Sequence, residues 1–373
     1  VKGIRGSLVK SQDIKRSSTG VVDAISAEDI GKFPDTNLAE SLQRITGVSI
    51  DRENGEGSKV TVRGFGPDYN LVTLNGRQMP TASIAATSAS DSRSFDFGNL
   101  ASEGVSSVEV YKTGKASVAT GGIGSTINLI TVKPLSSPGE RFSAGVKAVH
   151  DTSTESGSAL TPELSALYSN TFADDTFGVA LSVSHQARES GSARAGVDGG
   201  WRRFTEDGSG GWGMLPVPPA TGTDPHVNRP EVGDVYAVPQ NLIYGFKEVE
   251  RVRTNGQLTL QYQPVENLTA TLDYTYSKNS VELNQNLFSV WMNHGHTVSE
   301  WTDPNSDGVR APLVITEGNT GVNADTGELN YSDLVSQVEQ SAQVNENKSL
   351  GFNLEYKLND NLTLAFDYHS STA

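Results

Sequence analysis

All four tryptophans of the chain fall in, or at the mouth of, two long polar stretches: Trp201 and Trp212 in the first, Trp291 and Trp301 in the second. Trp201 is followed by Arg202 and Arg203, and Trp291 stands close to Asn293, His294 and His296. Sugars present apolar C–H faces and many hydroxyls, so flat aromatics flanked by fixed polar groups suit a carbohydrate ligand. The competing use of Trp is an aromatic belt at a membrane–water boundary. Trp291 and Trp301 suit that use; Trp201 and Trp212, set between Gly-rich runs, suit it less. Asp303-Pro304-Asn305-Ser306-Asp307-Gly308 opens like a calcium loop, with Asp303, Asn305 and Asp307 as oxygen donors. The position where an EF-hand places its bidentate Glu is Val314, so the EF-hand version fails. Calcium held by a lone oxygen-rich loop is set against an ordinary Asn/Asp turn. His294 and His296 share one strand face but lack a third ligand, and no other cofactor is expected.

Nothing argues for catalysis. The chain has no Gly-x-Ser-x-Gly elbow, no His-Glu-x-x-His and no Walker loop, and Gly121-Gly122-Ile123-Gly124 opens an apolar strand with no helix to cradle phosphate. With no Cys, thiol nucleophiles, thiolate zinc sites and disulfides are excluded together. A formal net charge of -15 is the wrong sign for a nucleic-acid backbone. No run approaches the roughly 20 apolar residues of a membrane-spanning helix.

Charge and periodicity divide the chain in two. Residues 1–135 carry 15 Lys and Arg against 14 Asp and Glu, whereas the remainder carries 14 against 30. The first part mixes helices and strands. Ser26 to Asp29 and Asn37 to Glu40 have capping-box spacing, the second ahead of the helical stripe Leu38, Leu42, Ile45, which Gly47 closes. Val60 and Val62, Leu71 to Leu74, and Val108 and Val110 read as short strands, the second stopped by Asn75-Gly76.

The second part alternates. Phe177, Val179, Leu181 and Val183 interleave with Gly178, Ala180, Ser182 and Ser184; Leu258, Leu260 and Tyr262, Ala270 to Tyr276, Leu350 to Tyr356 and Leu362 to Tyr368 repeat the rhythm. Side chains alternate faces along a strand, so each strand has one apolar and one polar face. Short turns at 173–175, 264–267 and 359–361 alternate with long polar segments at 189–247 and 284–345. Tyr168, Tyr274, Tyr276 and Tyr368 gather at strand ends. This is the pattern of an outer-membrane β-barrel, with a soluble antiparallel sandwich as the alternative. About seven strands fit between Arg141 and Ala373. The segment 284–346 sets nine acids against Arg310, a field that disfavours a strongly anionic ligand.

Three stretches of the first part resemble the plug domain of TonB-dependent outer-membrane receptors. They are Val21 to Arg52 (VVDAISAEDIGKFPDTNLAESLQRITGVSIDR), Val60 to Arg77 (VTVRGFGPDYNLVTLNGR) and Phe95 to Leu135, in order and followed by a barrel rhythm. Gly3 to Leu8 and Gly31 to Asp35 are similar to a branch associated with scavenging plant and algal carbohydrates. The resemblance implies an α/β plug domain (21–135) behind a mobile leader (1–20), then the N-terminal part of an antiparallel transmembrane β-barrel (136–373), about seven strands of an expected 22. It implies active import of a nutrient, foremost an oligosaccharide, across the bacterial outer membrane. A ferric-siderophore receptor is the alternative within the class, and a secreted or surface carbohydrate-binding or carbohydrate-active β protein the alternative outside it. The partners implied are TonB of the inner-membrane energy-transducing complex, outer-membrane lipid and an extracellular small-molecule or oligosaccharide ligand. Val1-Lys2-Gly3 resembles the tail of a TonB box. The plug apices would be Arg52 to Ser58, including Glu53 and Asn54, and Gln78 to Ser94, including Arg93. Arg63 in Val62-Arg63-Gly64 matches the family's Arg-Gly signature and is expected to fix the plug to wall carboxylates. With Trp201, Arg202, Trp212, Trp291 and His294, the apex residues Arg52, Glu53, Asn54 and Arg93 are the expected ligand-binding set.

Overall fold

Asn37 starts its helix as its spacing predicts: its side chain accepts from the Glu40 amide at 3.3 Å and donates to the Gly57 carbonyl. The helix covers only Leu38–Leu42, and Leu38, Leu42 and Ile45 bury the expected stripe ahead of Gly47, whose φ is +77°. The computed structural model describes residues 4–26, 37–80, 84–85, 88–89, 92–100, 102, 104–211, 213–292, 294, 297–303, 308–317, 321–322, 327, 329–330 and 333–373. The capping box at Ser26 to Asp29 therefore lies mostly outside them. The chain divides into two units, Val1–Ser190 with Val249–Glu282 and Ser341–Ala373, and Gly191–Glu248 with Leu283–Gln340.

In the first unit the leader region holds a helix, α1 (Ile4–Ser17), with Lys15 and Arg16 in its last turn, where cations suit the helix dipole. Lys15 Nζ reaches Asp23 Oδ1 at 2.8 Å, and Lys112 Nζ takes the other oxygen at 2.6 Å. The plug elements are β1 (Val22–Ser26), α2 (Leu38–Leu42), β2 (Val48–Glu53), β3 (Glu56–Val62), β4 (Asn70–Leu74), β5 (Arg77–Gln78), β6 (Ile84–Ala85), β7 (Ser88–Ala89), β8 (Val105–Tyr111) and β9 (Ser125–Thr131). A five-stranded sheet runs β1-β8-β9-β4-β5, and β2 and β3 make a separate hairpin. Asn54-Gly55 and Asn75-Gly76 turn with both residues at positive φ, the type I′ geometry that Asn-Gly adopts at low cost. Leu38, Leu42, Val62, Leu74, Phe97, Val108, Val110, Ile127 and Leu129 form one fully buried core.

The remaining strands are β10 (Arg141–His150), β11 (Leu160–Phe172), β12 (Phe177–Thr205), β13 (His226–Val227), β14 (Val235–Val265), β15 (Leu268–Trp291), β16 (Thr297–Trp301), β17 (Val309–Arg310), β18 (Pro312–Glu317), β19 (Gly321–Val322), β20 (Leu329–Asn330), β21 (Asp333–Asn359) and β22 (Leu362–Thr372). One sheet orders β10-β11-β12-β14-β15-β21-β22, seven neighbours in a row as the alternation predicts, with β17 joining β14 to the side. Short turns at Ala173-Asp174-Asp175 and Asp360-Asn361 keep the connections short, and Ala173, Asp174 and Asp175 all take positive φ.

The two faces of this sheet are inverted relative to a water-soluble one. Phe142, Val146, Leu181, Val183, Tyr262, Leu364 and Phe366 are exposed, whereas Ser182, Ser184, Thr259, Gln261, Thr271, Thr275 and Ser277 are buried. In water a sheet buries its apolar face and leaves the polar one solvated; an apolar band directed outward fits lipid. The soluble-sandwich alternative is set aside on this ground. The buried polar face is covered by the plug. Gln261 Oε1 accepts from the Leu135 amide at 3.0 Å, and Gly178 leaves room for Pro134 and Leu135.

Four strands are longer than a membrane requires. β12, β14, β15 and β21 have 29, 31, 24 and 27 residues, against the 9–11 or so that cross a bilayer. Much of the segments expected as loops, 189–247 and 284–345, is therefore strand. The second unit has a small core of its own: Leu215, Tyr236, Val238 and Trp301, with Phe204 against them. Tyr236 and Trp301 meet edge to face at 5.4 Å, and Trp301 Nε1 donates to Ser299 Oγ at 2.6 Å. Arg310 binds the carbonyls of Asn228, Arg229 and Thr302 and the Asp234 carboxylate. These contacts explain how so polar a segment holds a defined conformation.

Candidate functional site

The plug meets the polar face of the sheet through two charged nodes of opposite sense. In the first, the Asn75-Gly76 turn sends β5 back along β4 and delivers Arg77 to the wall. Its Nη1 donates to Asp273 Oδ2 at 2.6 Å, its Nε to Asp367 Oδ1 at 2.7 Å and its Nη2 to Asp367 Oδ2 at 3.0 Å. Asp273 lies on β15 and Asp367 on β22, each at a position whose parity faces the plug. Burial opposes the Arg77 charge, but its bonds to Asp367 and Asp273 outweigh burial and hold its pKa above the ordinary value. Between the two carboxylates stands Gly351 of β21, where a Cβ would overlap the guanidinium.

In the second node the plug supplies the acid. Glu56, the first residue of β3, accepts from Arg188 Nη1 of β12 and Arg253 Nη2 of β14, both at 3.0 Å, and pairs with Arg251 of β14. Arg253 Nη1 also donates to Gln186 Oε1 at 2.9 Å. Burial pushes the Glu56 carboxyl up, yet the fields of Arg253, Arg251 and Arg188 prevail and hold it below the usual carboxylate range.

Beside the Glu56 node a polar cleft opens between plug and wall. Its plug side is the hairpin segment 53–54 and 56–59 with Ser94, Asp96 and Gly98, and its wall side is Arg251, Asn279, Val281, Gln343 and Asn345. Asn99 of the plug, at the end of a single helical turn capped by Asp96, supports the floor. Its Oδ1 accepts from Asn279 Nδ2 at 3.1 Å and Asn345 Nδ2 at 3.4 Å, and its carbonyl accepts from Ser277 Oγ.

Of the expected ligand-binding set, the structure brings Glu53 and Asn54 into this cleft. Arg52 instead pairs with Glu40 at 2.6 Å on the surface. Arg93 donates to the Gly121 carbonyl at 3.2 Å, and its own amide donates to Asp68, which ties the end of the second apex to the plug body. In the second unit Trp201 and Trp291 are half-exposed and Arg202 is exposed. Trp301 and His294 are buried at 1% and 2% exposure, the former in the aromatic core and the latter against the Pro239 carbonyl, so neither is presented to solvent. Asp303 accepts from Asn228 at 3.3 Å. Trp212, Asn305, Asp307 and Val1-Lys2-Gly3 lie outside the described residues.

Arg63, expected to reach wall carboxylates, is exposed and bonds within the plug instead: its φ is +54° and its Nη2 donates to the Gly124 carbonyl at 2.8 Å. Arg77, only 14 positions on, does the anchoring. Two signals could have marked the nodes beforehand. Arg251 and Arg253 occupy plug-facing parity in β14, as Asp273 does in β15, and a charge on the polar face of a transmembrane strand calls for a partner.

Residues 14–126 match the family "TonB-dependent Receptor Plug Domain". The vitamin B12 transporter BtuB of Vibrio cholerae serotype O1 is 31% identical over 152 residues, 39% of this chain and 24% of that protein. Among solved structures, the siderophore receptor PirA from Acinetobacter baumannii superposes with a TM-score of 0.40 at 13% identity, over 97% of this chain and 48% of that one. The ferric citrate transporter FecA in its unliganded form does so with a TM-score of 0.38 at 14% identity, over 96% and 60%. The chain spans about a quarter of the length of the curated relatives it matches.

Proposed function

We propose that this outer-membrane chain, whose residues 14–126 are a TonB-dependent receptor plug domain, is the plug and first wall strands of a transporter that imports a nutrient at the expense of energy delivered by TonB. The observation that carries the reading is a folded α/β domain anchored by Arg77 and Glu56 to the polar face of a sheet whose other face is apolar and exposed. A water-filled passage needs a polar lining, and a plug that must move needs contacts that water can replace. Charge pairs and hydroxyl–amide bonds meet that need better than an apolar seam would.

The cargo we assign is an oligosaccharide. The half-exposed indoles of Trp201 and Trp291 and the acid-rich segment 284–346 support a neutral hydroxylated ligand over an anionic ferric chelate. The partner we assign is TonB, which takes up as an added strand the box whose tail Val1-Lys2-Gly3 resembles. The test is uptake of labelled oligosaccharides and of ferric chelates by cells carrying the receptor, with and without TonB. TonB-dependent saccharide uptake is expected. Uptake of ferric chelates alone makes this a siderophore receptor, and uptake indifferent to TonB removes the import reading.

A further inference from the structure

In the second unit His226, on β13, is 5% exposed, and β13 pairs in parallel with β16 so that His226 stands level with Ser299. Its Nδ1 meets Ser299 Oγ at 2.7 Å, and the same hydroxyl accepts from Trp301 Nε1 at 2.6 Å. Its Nε2 is buried without a hydrogen-bond partner among the described residues. Two residues on, Asn228 Nδ2 donates to the Trp301 carbonyl at 2.8 Å, so the segment 226–228 is strapped along β16 beside the buried indole. The charges that act on the ring are Asp224 and Arg229 of its own segment and Glu206, just after β12. Both carboxylates are already engaged. Asp224 accepts from the His226 amide, Glu206 accepts from the Gly208 amide, and each pairs with Arg229. Arg310 of β17 is committed to the Asn228 and Arg229 carbonyls and to Asp234. On β16 Glu300 is exposed on the opposite face, and on β18 Ile315 stands opposite Ser299 while Glu317 accepts from the His294 amide. Tyr236 of β14 accepts from the Leu215 amide through its hydroxyl.

We infer that His226 is an acid-sensitive latch of the second unit: while neutral it holds the strap 226–228 to β16, and its protonation releases the strap and uncovers Trp301. In either neutral tautomer the Ser299 hydroxyl completes one bond with Nδ1, as donor or as acceptor. In the imidazolium both ring nitrogens carry a proton. Nδ1 then only donates, and the Nε2 proton meets no acceptor in the closed unit. A buried charge with an unmatched donor is strongly unfavourable in a protein interior, whereas lifting the strap gives the ring to water. Burial accordingly holds the His226 pKa below its ordinary 6.5, and Arg229 opposes the pull of Asp224 and Glu206. The closed form thus binds the proton more weakly than the open one. Closure is complete above about pH 6.5 and weakens as pH falls from there toward the lowered folded-state value. The inference goes beyond import and concerns the conformation of the second unit alone, so it stands whatever the cargo.

Hydrogen exchange of the full chain in detergent micelles tests it, followed by mass spectrometry at about pH 7.5 and pH 5.5 and corrected for the intrinsic pH dependence of exchange. In the parent the amides of 226–228 and 297–301 are expected to lose protection about tenfold on acidification, the effect of one unit of difference between closed and open pKa values. The plug-core amides of Val108 and Val110 should keep theirs, since the Glu56 carboxyl titrates below this range. His226→Gln and His226→Asn carry no proton at either pH, so each should show the same protection at both. The readout is the ratio between the two pH values, so a variant that loosens the strap uniformly still reports. Parent protection that is equal at the two pH values overturns the inference. So does a loss in both variants as large as the parent's, which assigns the acid response to Glu206 or Asp224.

Discussion

Gly351 of the wall vacates the space through which the Arg77 guanidinium of the plug passes to reach Asp273 and Asp367. The absence of a side chain on one strand is thus a condition for the ion pairs of two others. Gly351→Val is expected to displace Arg77 and strand the Asp273 carboxylate, 2% exposed, without its partner. Breaking one side of a buried pair costs about 3–5 kcal/mol. The loss should appear as a lower denaturation midpoint and faster proteolysis of the plug, with β21 and β22 still paired.

The Glu56 node makes a prediction about acid. Its carboxyl titrates below its ordinary 4.5 when folded, so its stabilisation is complete above about that pH and is lost as pH falls through the lowered folded-state value. Denaturation midpoints of the parent should decline from pH 5 toward pH 2 more steeply than those of Glu56→Gln, and the difference between the two should shrink with acid. Near neutrality Glu56→Gln should cost about 3 kcal/mol, because Arg188, Arg251 and Arg253 lose their shared counter-charge. A constant difference between parent and variant across the whole range would show that Glu56 does not carry the node.

Tryptophans of the second unit should separate by burial. Trp301→Ala removes a fully buried ring from the small core with Tyr236 and Leu215, at about 3–5 kcal/mol, and should open that unit to protease. Trp201→Ala and Trp291→Ala replace half-exposed rings, so they should leave the fold intact and lower saccharide uptake. Unchanged uptake with both replaced would remove the stacking role.

Leu181→Arg tests the lipid face. Leu181 is 44% exposed between Ala180 and Ser182, which face the plug. In a bilayer an outward Arg near the midplane costs about 2–4 kcal/mol, whereas on a water-exposed sheet an exposed Leu→Arg change stays within about 0.5 kcal/mol. Reversible unfolding from lipid vesicles, compared with the parent, distinguishes the two.

The alternating strands, their short turns and their greasy faces were legible in the residues alone. Which face a strand residue takes depends only on odd or even position, and an Asn-Gly or Asp-Asp turn is chosen by the chain within four residues. The same holds for Asn37 as a helix cap, whereas Glu53 and Asn54 at the tip of β2 were placed at an apex by the family resemblance. Other features came only with the tertiary structure. Arg77 meets Asp273 and Asp367 across 196 and 290 positions, and Glu56 meets Arg253 across 197. Local periodicity shows that a charge faces inward without showing which opposite charge the fold brings to it. Trp301 and His294 share the composition of their exposed neighbours, and what buried them was the packing of segments more than 50 residues away, from Tyr236 and from Pro239. Arg63 and Arg77 lie on the same plug segment, and which of them turns to the wall depended on a left-handed backbone at one and an Asn-Gly reversal before the other.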